Sequence, residues 1–521
     1  MMKIKPITVY DTTLRDGAQA AGVSFSVEDK LSIAKKLDEL RFDYIEGGWP
    51  GSNPKDVEFF KRVKNLDLKY AKVAAFGSTC KKDSEPEDDA NLRLLLESKM
   101  PAITIFGKSS TLHVKDALGT NPNTNLKMIS GSVEYLKAKS DAEIIYDAEH
   151  FFDGFKLDKK YAMRTLSAAS DAGADFIVLC DTNGGTDFYE TQKIMKQVKD
   201  KFKGVRLGIH AHNDIEYGAA NTYAAVVEGA EMVQGTINGF GERVGNANLV
   251  TIIPNLYRKG YATKGSIKLL ELKSLSRYVY ELANLTPNER QAYVGDFAFA
   301  HKGGIHVSAV LKNSRLYEHT DPAIFGNERR FLISELSGTS NIEALGSGIS
   351  RKDKLAKKVV SEIKTREHQG YAYEAAEGSL SLLLLEQKGR KIKMFDLIEY
   401  KVEIEKKGSD EPVSKAVVKI RVNGDEVVKT SYGHGPVNAL DSALRAALTS
   451  KFPELKALKL EDYKVRIIPE QKGTAAKVRV LIESKSGKKR FGTVGVHENI
   501  VEASWQALVE SFAYVHLNKK N

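Results

Sequence analysis

Short apolar, β-rich runs alternate with stretches of helical period through the first half of the chain. The runs are Ile7–Tyr10, Tyr44–Glu46, Lys72–Phe76, Ala102–Phe106, Glu143–Tyr146, Phe176–Cys180, Arg206–His210 and Met232–Thr236, each a strand candidate. Between them lie amphipathic stretches such as Val27 to Leu40, where Leu31, Ala34, Leu37 and Leu40 share a face. That helix opens on Ser26-Val27-Glu28-Asp29, a capping residue with an acid three positions on, which can satisfy free backbone amides. Eight strand–helix repeats over residues 1–265 predict an α/β fold, a closed (β/α)8 TIM barrel, in preference to an open sheet. A doubly wound sheet needs a glycine-rich phosphate turn after its first strand, and Asp11-Thr12-Thr13-Leu14-Arg15-Asp16 is not one.

The pattern changes twice more. Residues 266–369 are helical with polar, glycine-containing connections, a linker with helical subdomains. Residues 370–521 form strand pairs and helices with an internal duplication, a C-terminal α+β domain. Val417–Val422, an Asn423-Gly424 turn and the helix Asn438 to Leu448 make one half; Lys477–Ile482, a Ser486-Gly487 turn and the helix Asn499 to Phe512 make the other. Asn438 and Asn499 are expected to cap their helices. Such a domain serves as a plain dimerisation module or holds a regulatory ligand in its seam, and both readings stay open here.

Composition narrows the class. An apolar fraction of 42% and a charged fraction of 28% over 521 residues belong to an ordinary globular chain and exclude disorder. Cys80 and Cys180 are too few for a disulfide framework or a thiolate zinc site. The start, Met1-Met2-Lys3-Ile4-Lys5-Pro6, meets charge too early for a signal peptide, and the apolar run Leu380–Leu385 is far short of the roughly 20 residues of a membrane span. A cytoplasmic protein without a membrane partner is expected. The net charge of +10 raises a nucleic-acid reading, but the basic residues are interleaved with acids and with no stacking aromatics. A mild attraction for anionic small molecules is the remaining consequence.

In a barrel of this kind the working groups gather where strands end. Strand one runs into Asp11-Thr12-Thr13-Leu14-Arg15-Asp16-Gly17-Ala18-Gln19 and strand five into Asp147-Ala148-Glu149-His150. Strand six runs into Asp181-Thr182-Asn183-Gly184, strand seven into His210-Ala211-His212-Asn213-Asp214, and strand eight into Asn238-Gly239-Phe240-Gly241-Glu242-Arg243-Val244-Gly245-Asn246. His210 and His212, two apart on a strand, point to one face. With Asp16 from another strand end they make a divalent metal site with open positions. Mixed nitrogen and oxygen donors without thiolate fit Mg2+, Mn2+ or Zn2+ and do not choose between them. The alternative is a pair of structural histidines capping the barrel. Arg15 beside Asp16 can stabilise charge developing on a carbonyl oxygen, or simply pair with Asp16 or Glu46. Cys180, inside a strand, reads as a buried small hydrophobe.

Together, Asp11–Gly17, the His-x-His at 210 and 212, and Gly239–Asn246 resemble the DRE-TIM metallolyase superfamily. Within it the chain is similar to the synthases that condense acetyl-CoA with a 2-oxo acid: the 2-isopropylmalate, homocitrate and citramalate synthases. Phe297–His306 matches their post-barrel histidine segment, and Gly435-Pro436-Val437-Asn438-Ala439 their C-terminal regulatory domain. Glu46–Pro54, with Trp49-Pro50, is most similar to the bacterial citramalate synthases, where isopropylmalate synthases usually have Phe-Pro. The resemblance implies Asp16, His210, His212 and Asn246 as metal ligands. It implies Arg15 on the keto oxygen, Gln19 and Thr182 on the substrate, the latter at its carboxylate, and Glu149 in acid–base relay. His306, arriving from a partner subunit of a homodimer, would be the base or its activator, with Tyr317 beside it. The implied reaction condenses acetyl-CoA with pyruvate and hydrolyses the thioester to (R)-citramalate and CoA, with isoleucine as feedback effector. Another 2-oxo acid, or a metal-dependent aldolase or lyase reaction, is the alternative. Two positions depart from the pattern: Val307-Ser308 stands where Gln-Asp or Ala-Asp is usual, and His150 where an Asp is common.

Overall fold

The computed structural model describes residues 6–390, 392–468, 476–487 and 489–519. It forms two compact units, one reaching to Phe299 and including Pro322–Glu328, the other comprising Ala300–Asp321 and the chain from Arg329 onward.

The first unit is the expected barrel. Its strands are β1 (Thr8–Asp11), β2 (Tyr44–Gly48), β3 (Lys72–Ser78), β4 (Ala102–Lys108), β5 (Glu143–Glu149), β6 (Phe176–Asp181), β7 (Leu207–Ala211) and β8 (Met232–Gly235). All neighbours are parallel, and β1 pairs with β8 to close the ring, Thr8 against Met232 and Asp11 against Gly235. The helix Val27–Glu39 carries the Ser26–Asp29 capping box and buries Leu31, Ala34 and Leu37, as its period requires. Side chains alternate along each strand. Tyr10, Tyr44, Ala74, Ala102, Ile145, Phe176, Val178 and Met232 fill the barrel interior, while Val9, Ile45, Val73, Ile103, Ile144 and Val233 belong to the larger core shared with the helices. That parity decides what reaches the mouth. Counting in twos from the interior residues puts Glu46, Phe76, Phe106, Asp147, Glu149, His210 and Gln234 on the inward face.

In the second unit, β9 (Ala300–His301) and β10 (Arg330–Phe331) pair in parallel, beside the helices Gly304–Lys312, Thr339–Ala344 and Lys354–His368. The duplicated tail is two antiparallel sheets, β11 (Asp396–Glu405), β12 (Val413–Val422) and β13 (Asp425–Gly433), then β14 (Leu458–Ile467), β15 (Val478–Ser486) and β16 (Lys489–His497). Ala416, Val418, Ile420 and Val422 of β12 pack with Leu440, Leu444 and Leu448 of the helix Pro436–Leu448. Asn423 and Gly424 both take positive φ, 52° and 94°, the geometry of a tight hairpin turn. Asn499 caps the helix Ile500–Asn518 as expected. Asn438 does not cap its helix. Pro436, whose fixed φ suits the first turn, starts that helix after Gly435, and Asn438 instead accepts the His434 amide at 3.3 Å.

One carboxyl in this unit makes stability depend on pH. The Ser379 hydroxyl donates to Glu510 and accepts the Val494 amide at 2.8 Å. Burial pushes Glu510 up from 4.5 to about 7, against the opposing pull of Ser379 and Arg366. A carboxyl that binds its proton more tightly folded than unfolded stabilises the fold while protonated. Its contribution is full below pH 4.5, falls as pH rises towards 7 and stays lost above. Glu510→Gln is therefore expected to stabilise the protein at pH 8 by about 1 kcal/mol and to flatten the decline from pH 5 to 8 in thermal melting. An unchanged pH slope would show that Glu510 is ionised in the fold.

Candidate active site and metal centre

The inward residues meet at the C-terminal mouth of the barrel, in a cavity of about 240 Å3 that includes Arg15, Asp16, Gln19, Glu149, Thr182, His210 and His212 in its lining. Seven of the ten residues singled out from the sequence thus share one wall. Asn246 is buried beside them, its backbone bridged to His212. His306 and Tyr317 belong to the second unit and stack on each other, ring centres 4.0 Å apart.

Asp16, His210 and His212 offer one ligand atom each, all within 4.8 Å of one another. The Asp16 Oδ2 lies 3.3 Å from His210 Nε2, and the two Nε2 atoms are 3.4 Å apart. Because Gln234 Nε2 donates to Asp147 Oδ1 at 3.0 Å, the Gln234 carbonyl oxygen faces His210 Nδ1, also at 3.0 Å. The Nδ1 proton is thereby fixed, and the Nε2 lone pair points into the cluster. Among the described residues the buried Asn246 Oδ1 finds no hydrogen-bond donor, an acceptor left over where a cation would sit. Two imidazole nitrogens, a carboxylate and an amide oxygen fit a divalent ion.

The electrostatics agree. Burial raises Asp16, but the Arg15 guanidinium and His210 overcome it and hold the carboxyl well below the usual range. Burial first and then the neighbouring His210 lower His212 to about 4, which keeps it a neutral donor. Burial pushes Asp147 up to about 7. Arg15 pairs with both expected partners, Glu46 Oε2 at 2.6 Å and Asp16 at 3.4 Å, and its guanidinium lies 3.8 Å from the Phe76 ring centre. Glu46 also accepts the Tyr10 hydroxyl at 2.9 Å, so the arginine is aimed from below. Glu149 is paired with Lys108. The Thr182 hydroxyl oxygen accepts the His150 amide at 2.8 Å, which leaves its proton to donate into the cavity. Arg243 ties the rim together, holding Asp214 with two nitrogens at 2.6 and 2.8 Å and the Thr182 carbonyl at 2.8 Å. Cys180 is buried, and burial raises its thiol far above its ordinary range.

The roles of Asp147, Gln234, Arg243, Phe76 and Phe106 escaped the sequence reading. Strand parity counted from the histidines could have found those on the strands. Gly241 has a simpler reason to be glycine: a Cβ there would fall 2.2 Å from Asn246 Nδ2, and its φ is 155°.

Three family models match in succession: HMGL-like over residues 6–279, homocitrate synthase post-HMGL domain-like over 293–370, and the LeuA allosteric (dimerisation) domain over 374–516. The chain is 51% identical to an (R)-citramalate synthase of Aquifex aeolicus over 98% of its length and 97% of the relative's. It is 52% identical to one of Geobacter sulfurreducens with the same coverage. The chain belongs to the (R)-citramalate synthases. A 2-isopropylmalate synthase of Pyrococcus furiosus is 32% identical over 97% of the chain and 98% of the relative, well below the citramalate synthases of those two bacteria. The HMGL-like barrel of this family is the divalent-metal-dependent part, and the cluster of Asp16, His210 and His212 lies in it. Among the described residues no helix is long and apolar enough to cross a membrane.

Exchanging Gln234 for leucine tests the Asp147–Gln234–His210 chain. Bound-metal affinity is expected to fall about 10–100-fold in a metal titration, because His210 loses the partner that fixes its tautomer. Unchanged affinity would mean the ring needs no such support.

Proposed function

We propose that this mouth condenses acetyl-CoA with pyruvate and hydrolyses the resulting thioester to (R)-citramalate and CoA. The observation that carries it is the convergence of Arg15, Asp16, Thr182, His210 and His212 on one cavity. Asp16, His210, His212 and Asn246 would hold the divalent ion, Mn2+, Mg2+ or Zn2+, which when bound supplies a Lewis acid for the keto acid. Thr182 donates its hydroxyl proton to the pyruvate carboxylate, with Gln19 as the second polar contact. Arg15, held by Glu46 and Asp16, points its remaining N–H groups at the keto oxygen, where negative charge grows as the carbon–carbon bond forms.

His306 of the partner subunit, supported by Tyr317, takes the proton from the acetyl methyl group, and the carbanion so formed attacks C2 of pyruvate. The keto oxygen then takes up a proton, with Glu149 in the relay. Water cleaves the thioester, and the sulfur leaves as CoA thiol. Ile305, Leu316 and Tyr317 are 78%, 59% and 45% exposed; an apolar surface around a polar pair supports its being covered in a homodimer. The tail fits isoleucine as feedback effector, and the two buried free thiols, Cys80 and Cys180, suit the reducing cytoplasm.

Thiol release from acetyl-CoA with a panel of 2-oxo acids, with and without Mn2+, tests this. Metal-dependent release with pyruvate is expected. Preference for 2-oxoisovalerate would overturn the substrate assignment, and no release with any oxo acid would overturn the reaction.

A further inference from the structure

His306 lies in the first turn of the helix Gly304–Lys312 and is exposed. Tyr317 follows a single 3-10 turn, Ser314–Leu316, and is part of no helix or strand. Fixing an exposed loop side chain costs rotamer entropy, yet the two rings stack with an interplanar angle of 28°. Something must hold the loop.

The next residue does. The Glu318 side chain is only 3% exposed, and its carboxylate accepts Nε and Nη2 of Arg329, each at 2.5 Å, and the Nε2 proton of His301 at 3.0 Å. Both partners are strand-anchored: His301 pairs with Phe331 across β9 and β10, and Arg329 directly precedes Arg330, which pairs with Ala300. The turn itself is closed by the Asn313 side chain, which accepts the Arg315 amide at 3.1 Å, and by the Glu318 amide, which donates to the Ser314 carbonyl at 2.9 Å. His301 stands five residues before His306, so the segment carrying the histidine and the loop carrying the tyrosine share one anchor. A bidentate guanidinium–carboxylate pair fixes direction as well as distance. Burying the Glu318 carboxylate is costly, which points to a demand for geometry at the exposed rings above it.

We propose that Arg329, Glu318 and His301 are positioning residues that set Tyr317 against His306 for the proton transfer; this rests on the assignment of that ring pair to the acetyl methyl group. They touch no substrate. With Glu318→Gln and, more mildly, Arg329→Lys in the full-length enzyme, kcat for CoA release is expected to fall about 10–100-fold, while both KM values stay within about twofold. Combining Glu318→Gln with Tyr317→Ala should lose no more than about twofold beyond Tyr317→Ala alone, because the clamp then has no ring to aim. Arg329→Lys keeps the charge but loses the fork, so it carries the test if thermal melting shows Glu318→Gln misfolded. Additive losses, raised KM values at constant kcat, or unchanged kcat in both variants would overturn the proposal while His306→Ala and Tyr317→Ala still sharply lower kcat and leave a measurable residual rate. If those two variants instead keep their activity, the catalytic reading of the pair falls, and the clamp's purpose falls with it.

Discussion

Asp16→Ala is expected to abolish CoA release, with kcat lower by at least about 10³-fold, and to strip bound metal from the purified protein. Asp16 is the one anion among the converging ligand atoms, and it also pairs with Arg15. Its loss therefore removes a ligand and leaves Arg15 and His210 facing one another without the charge between them. Asp16→Asn separates the two effects, since it keeps the shape and one oxygen donor but not the charge. Metal content by elemental analysis and turnover with acetyl-CoA and pyruvate read the outcome. Activity retained by the alanine variant at ordinary metal concentrations would refute the ligand assignment.

The second large effect concerns selectivity. Trp49, Phe76 and Phe106 line the same cavity as the arginine. Phe76 and Phe106 stack at 5.4 Å, and Trp49 meets each edge-on at 5.9 and 5.7 Å. Trp49 is locked by its indole N–H, which donates to Asn91 at 2.7 Å. On the substrate placement proposed above, this rigid aromatic wall would leave room for the methyl group of pyruvate and exclude a branched side chain. Phe106→Ala is expected to shift the ratio of kcat/KM for 2-oxoisovalerate over pyruvate upward by about 10–200-fold, the range one or two methylene groups command in an apolar pocket. Steady-state kinetics with both acids measures it. An unchanged ratio would place the selective contact elsewhere.

The parts of the site that the sequence revealed are those whose chemistry is local. His210 and His212 are two apart on a strand and must share a face; Arg15 and Asp16 are adjacent. The clamp and the tautomer-fixing chain were not visible that way. Gln234 and Asp147 are 87 residues apart, and Arg329 and Glu318 are joined by a connection that holds the 3-10 turn Pro322–Phe325. No period or motif relates such residues. The misplaced helix cap is the same lesson in small: Asn438 is a good capping residue, but Pro436 at the helix start decided the boundary.

By itself the sequence determined the barrel, because eight buried strands and their amphipathic helices can satisfy their backbones and hide their apolar faces in few other ways. It also determined the candidate metal-ligand residue types and the duplicated tail, since both are written in short spacings. Only the tertiary structure decided which strand-end groups face inward together, how Glu46 and Asp16 aim Arg15, and what locks Trp49 and Glu318. Those are distances between groups far apart in the chain. They are set by ring closure and side-chain packing, which no local pattern encodes.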